Sequence, residues 1–189
     1  VKQHFPRPKL EPALIPEVLT ADLRKADFTD RIRPGMRIAI TVGSRGVANV
    51  ALITRTVVDY VKACDAEPFI VPAMGSHGGA TAAGQRKIVE DYGCTEEYLG
   101  CPICSSMEVV PIGVNDAGQQ VFIDKYAAQA DGIIVNCRVK PHSAFRGKYE
   151  SGIMKMMAIG LGKQYGAEVC HNQGIGCMAK NIPLFGRCI

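Results

Sequence analysis

Apolar positions first fall into step at Arg37-Ile38-Ala39-Ile40-Thr41-Val42, a run that reads as a buried strand ending in the turn Gly43-Ser44-Arg45-Gly46. From Asn49 to Ala66 the period changes. Val50, Ile53, Val57, Val58, Tyr60 and Val61 recur at helical spacing. Pro68-Phe69-Ile70-Val71-Pro72 is a second strand, closed by the glycine-rich turn Gly75-Ser76-His77-Gly78-Gly79, and Thr81 to Tyr92 is a second helix. Shorter β-rich pieces lie at Glu108–Ile112 and Gln120–Ile123. Gly132-Ile133-Ile134-Val135-Asn136-Cys137 reads as another buried strand, leading through Pro141-His142 to a polar loop and a helix at Ser151–Leu161.

Strand, turn and helix in repetition predict an α/β fold, a Rossmann-like and mostly parallel sheet flanked by helices. In such sheets the loops after the strand ends form the ligand crevice, and the unusual residues of this chain fall there. Residues 1–35 are rich in proline and charge and read as an N-terminal arm with one short helix near Pro16–Ala26; residues 36–189 read as the α/β domain. The chain begins at Val1 and ends without a polar tail, so we expect a fragment, or a protein whose other half is a separate chain.

Composition narrows the class. With 189 residues, 47% apolar and 21% charged, the chain can bury a core without staples. Its net charge of +4 is dispersed, and 6% aromatics without tryptophan offer neither a basic face nor a stacking platform, so nucleic acid is not expected as a partner. No apolar run approaches the roughly 20 residues of a membrane span, and Lys155 breaks the apolar-rich segment Ile153–Leu161. The eight cysteines read as mostly reduced thiols of a cytoplasmic protein. Cys101-Pro102-Ile103-Cys104 is a lone CxxC; it stands either for packed thiols or, with Cys94, for a metal-binding or iron–sulfur module.

The chemistry-bearing residues are few. His77 and His142 each follow a predicted strand, so both face one crevice. There they act as general acid and base, or merely cap loops. Lys155 either snorkels out of an apolar helix or is held dry, where its neutral amine becomes reactive. Arg138, Lys140, His142, Arg146 and Lys148 surround Pro141 as a phosphate or carboxylate site or as a solvated loop, which keeps a plain phosphate- or nucleotide-binding domain open as an alternative. Arg45 occupies the matching place after the first strand and can grip a carboxylate through two parallel hydrogen bonds. Gly160-Leu161-Gly162-Lys163-Gln164-Tyr165-Gly166 is similar to a dinucleotide fingerprint, but it closes a helix instead of opening one.

Taken in order, Gly43-Ser44-Arg45-Gly46, Gly75-Ser76-His77-Gly78-Gly79, Lys140-Pro141-His142, Glu150-Ser151-Gly152-Ile153-Met154-Lys155 and His171 resemble the N-terminal domain of the nickel-dependent lactate racemase family, from about Met36 to His171. The resemblance implies a nickel-pincer nucleotide, a pyridinium mononucleotide joined to a lysine and binding nickel. It implies Lys155 as the attachment lysine; Arg146 and Lys148, from the basic cluster around Pro141, are expected on the cofactor by their charge. His171 is then the nickel ligand, His77 and His142 the acid/base pair, and Arg45 the substrate arginine. The implied activity is racemisation or epimerisation of a lactate-like 2-hydroxy acid by proton-coupled hydride transfer, with a second, C-terminal domain closing the cleft. Two segments depart from the racemase pattern. The first loop reads Gly-Ser-Arg-Gly where the racemases carry an acidic, threonine-containing loop ending in Arg-Pro, and Phe145-Arg146-Gly147-Lys148-Tyr149 lengthens the path from His142 to Lys155.

Overall fold

The computed structural model describes residues 10–25 and 28–189. Residues 1–9 of the predicted arm and Ala26 at the end of its predicted helix lie outside the described residues.

The elements follow the chain as helix α1 (Ile15–Lys25), the short α2 (Phe28–Arg31), strand β1 (Arg37–Val42), α3 (Val50–Ala63), β2 (Glu67–Pro72), α4 (Ala82–Asp91), the short α5 (Glu96–Leu99), β3 (Val109–Val114), β4 (Gln120–Asp124), the short α6 (Lys125–Ala128) and β5 (Gly132–Ile134). The turn α7 (Ile153–Lys155) then widens into a π-helix at Met156–Leu161, followed by α8 (Lys163–His171) and α9 (Met178–Gly186). Strands β2, β1 and β5 form a parallel sheet in that order, with Ile38 opposite Pro68 on one side and Gly132 on the other. This is the α/β, Rossmann-like arrangement that the alternation of strand and helix predicts. β3 and β4 make a separate antiparallel hairpin.

β1 and β2 are buried from their second residue onward. Such strands read as unbroken apolar runs because both faces are covered. Val57, Val58, Tyr60 and Val61 of α3 pack with Ile38, Ile40, Val42 and Ile70 in the largest apolar cluster, which Leu23 of α1 and Ile32 also join. A second cluster joins Ala39, Phe69, Val71 and Ala73 to Ile123 and Leu161, and a third holds Cys170, Met178, Ile182 and Phe185.

Two predicted elements differ from those observed. The strand predicted over Gly132–Cys137 is laddered only through Ile134. Beyond it, the Thr41 hydroxyl accepts from the Asn136 amide (3.0 Å) and donates to the Asn136 carbonyl (3.2 Å), so a side chain replaces the ladder and the backbone leaves the sheet. The helix predicted over Ser151–Leu161 starts at Ile153 and changes to π geometry at Met156. A Cβ on Gly160 would stand 2.8 Å from the Ala73 carbonyl oxygen, so only glycine lets this segment press against the end of β2. A similar approach brings α4 onto the loop between β2 and α4: a Cβ on Gly84 would stand 2.0 Å from the Gly78 carbonyl oxygen.

Candidate active site

The carboxyl ends of β1, β2 and β5 open onto one cavity of about 470 Å³, a volume within the range of small-molecule sites. Arg45 and Ser44 reach it from the loop after β1, and His77 from the loop after β2. Arg138, Lys140 and His142 come from the segment after β5, Lys155 from α7, and Gln164, Glu168 and His171 from one face of α8. Of the residues singled out in the sequence, Arg45, His77, His142, Lys155 and His171 therefore share one cavity. Arg146 and Lys148 do not line it. Arg146 folds back, donating from Nη1 to the Phe145 carbonyl at 3.1 Å and standing 3.8 Å from Glu150; the Lys148 ammonium lies 5.7 Å from the centre of the Tyr149 ring.

Each histidine of the cavity is held by its Nδ1. That of His77 is hydrogen-bonded to the Ser44 hydroxyl, and Ser44 is fixed in turn by the Tyr92 hydroxyl donating to its carbonyl at 2.7 Å. That of His142 accepts the Ala144 amide at 3.1 Å, while the His142 amide donates to Glu150 at 2.8 Å and its ring lies 4.3 Å from that of Phe145. That of His171 meets the Ala167 carbonyl one helical turn earlier, at 2.6 Å.

The charges are one-sided. Burial first, then the Arg45 guanidinium and the Lys155 ammonium, lower the pKa of His77. Burial and Lys155 do the same to His142. Lys155 is half-buried, and burial, with Lys140 and Arg45 adding to it, lowers its own pKa and raises the share of neutral amine. Both imidazoles are thus held neutral at pH 7, the form in which a base works. A pH profile of proton transfer through His77 is expected to turn down only below the ordinary histidine value of about 6.5. Substituting Arg45→Met removes one of the charges opposing protonation. The His77 midpoint, followed by NMR titration, is expected to move up; an unmoved midpoint would show that Arg45 does not contribute to it.

The loop carrying His77 hangs on a buried lysine. Gln85 donates to the carbonyls of Gly75 (2.7 Å) and His77 (3.2 Å) and accepts from the Lys163 ammonium at 3.0 Å. Lys163 is fully buried, also donates to the Pro72 carbonyl, and faces Asp124 at 3.2 Å. Its backbone is left-handed, with φ of 54°. The sequence reading missed Ser44, Gln85 and Lys163. Gln85 had a signal: it stands at i, i+3, i+4 spacing with Ile88 and Val89 on the inner face of α4. Lys163 had none, since its partners lie 78 and 91 residues away.

A nickel-bearing nucleotide can be weighed against this donor set. Among the described residues, no three His, Cys, Asp or Glu side chains gather to hold a metal ion. A metal in this cavity would therefore need most of its donors from an organic group. His171 could add one imidazole, because its Nδ1 faces a carbonyl and must carry the proton, which leaves Nε2 bare. Lys155 is an amine disposed to covalent chemistry, and Arg45, Arg138 and Lys140 supply charge for phosphate or carboxylate. The residues fit such a group. The cysteine alternative has no such focus: burial raises the thiols of Cys94 and Cys101, the latter to about 11, and both pack in the main core.

No curated protein matches the chain. A family model does: the lactate racemase N-terminal domain matches residues 1–181. With that match over nearly the whole chain, and with the motif residues Arg45, His77, His142, Lys155 and His171 around one cavity, the chain belongs to the lactate racemase N-terminal domain family.

Proposed function

We propose that this domain forms the cofactor-binding half of a racemase or epimerase acting on a lactate-like 2-hydroxy acid. The observation that carries the reading is the gathering of two imidazoles, an arginine and a half-buried lysine in one cavity with His171. Lys155 is the attachment point for a nickel-pincer nucleotide, and the Nε2 of His171 is the protein's ligand to its nickel. When bound, that group supplies the acceptance and return of a hydride at C2 of the substrate. Arg45 holds the substrate carboxylate through two parallel hydrogen bonds. His77 and His142 manage the hydroxyl proton; both being neutral, an imidazole is available to take it without first losing one of its own. Lys140 and Arg138, not Arg146 and Lys148, lie where they could balance a phosphate. A second domain of the kind this family carries would close the cavity over Val139 and Ile153, which are 80% and 55% exposed beside lining residues. The free cysteines suit a reducing compartment such as the cytoplasm.

The test is interconversion of the two lactate enantiomers by protein co-expressed with a pathway making the cofactor, followed by chiral chromatography. Lys155→Ala is expected to abolish both attachment and interconversion. Interconversion persisting at the wild-type rate in that variant would exclude the proposed role.

A further inference from the structure

The three cavity histidines have partners of three different kinds, and the kind limits what each ring can do. A backbone carbonyl only accepts, so His171 must keep its proton on Nδ1. A hydroxyl both donates and accepts, so Ser44 tolerates either neutral form of His77 and its charged form. A backbone amide only donates. The Ala144 N–H aimed at Nδ1 of His142 from 3.1 Å therefore requires a bare Nδ1, and the proton of the neutral ring sits on Nε2. With Nε2 already protonated, His142 cannot take a proton there. Nor can it become an imidazolium while the contact lasts, because a second proton on Nδ1 would face the Ala144 N–H head on.

We propose that the Ala144 amide holds His142 as a neutral hydrogen-bond donor, so that only His77 carries the substrate's proton until the His142–Ala144 contact opens. This rests on the function proposed above and divides its acid/base pair. In the closed loop the substrate O–H bond breaks, and its proton passes to His77 Nε2 while Nδ1–H donates to Ser44. His142 Nε2–H steadies the oxygen left behind. Serving the opposite face needs His142 as proton carrier, and hence release of its Nδ1. The loop that must move is short and locally tied: Ser151 accepts from the Lys140 amide at 2.7 Å, and Glu150 accepts from the amides of His142 at 2.8 Å and Gly147 at 3.2 Å. The segment Phe145–Tyr149 lies within it.

The experiment is ¹⁵N NMR of the histidine rings and backbone amides of the full chain, without cofactor, from pH 5 to 8. Resonances are assigned with single His→Gln variants. His142 is expected to show one neutral form, protonated at Nε2, and His171 the opposite form. As pH falls, the Ala144 amide signal should shift with the same midpoint as His142, because protonation of Nδ1 expels it. Charged groups facing that ring are Lys155, Lys140 and Arg146, which oppose protonation, and Glu150, which favours it. Ala144→Pro, which removes the donor, should leave His142 exchanging between both neutral forms. A His142 that already exchanges between them in the unaltered chain, or an Ala144 amide indifferent to its titration, would overturn the proposal. These readings do not depend on loading of Lys155, so failure to load overturns the proposed function while leaving this result readable.

Discussion

Replacing Lys163 with methionine is expected to lower the stability of the fold by about 3–5 kcal/mol, the range for breaking one partner of a buried ion pair. Lys163 is fully buried, and its ammonium is held by Gln85, the Pro72 carbonyl and Asp124. Burial lowers its pKa while Asp124 pulls it back up, so the pair is a costly arrangement that persists because each member needs the other. Methionine fills much of the same volume, so packing alone predicts a smaller loss. The larger loss comes from Asp124, whose Oδ2 faces the Lys163 ammonium at 3.2 Å and no hydrogen-bond donor besides it among the described residues, and would be left as a buried, unpaired charge. Oδ1 meanwhile caps α6 through the amides of Tyr126 and Ala127, so the carboxylate cannot turn away. Urea unfolding is the measurement. Adding Asp124→Asn should recover a substantial part of the loss, because the neutral amide keeps the cap without the charge. If Lys163→Met costs less than about 1 kcal/mol, the pair does not hold the fold as described.

The second large effect is on chemistry. In loaded protein, His77→Gln is expected to reduce kcat by about 10²–10⁴-fold, the usual contribution of a positioned general base. Glutamine can still hydrogen-bond in that place but cannot accept a proton at neutral pH. The deficit should fall on kcat more than on KM, since Arg45, not His77, is assigned to the carboxylate. Gln85→Leu is the control for position, because it removes the donors holding the Gly75 and His77 carbonyls and leaves the imidazole intact. A His77→Gln variant within about threefold of wild type would remove His77 from the proton path, since even the low end of that range is far larger.

How much of this was legible in the sequence depended on the range of the interactions involved. β1, α3, β2 and α4 lie within a few residues of their predicted bounds, because unbroken apolar runs and helical spacing report burial locally. α8 was missed because its buried positions are Lys163, Gly166, Ala167 and Cys170, a face made of small residues and one lysine that carries no apolar signal. α9 contains Pro183, which reads as a breaker. The π-helix holds Gly160 against Ala73, a contact between residues far apart in sequence that local spacing does not report. In the site, Arg45, His77, Lys155 and His171 sit in turns and motifs whose residue types point to chemistry, and they line one cavity. Arg146 and Lys148 carry only their charge as a signal in the sequence. Arg146 stands near Glu150 and Lys148 near Tyr149, contacts that the spacing of charges does not reveal.

The proposed chemistry turns on a nickel-bearing nucleotide carried by Lys155. Its most direct test is intact-protein mass spectrometry with nickel analysis on the chain co-expressed with a cofactor-synthesis pathway, followed by peptide mapping. An adduct of nucleotide mass at Lys155, nickel in near-equal amount, and loss of nickel but not of the adduct in His171→Ala are expected. An adduct at another residue, or nickel retained in full by Lys155→Ala, would contradict that chemistry.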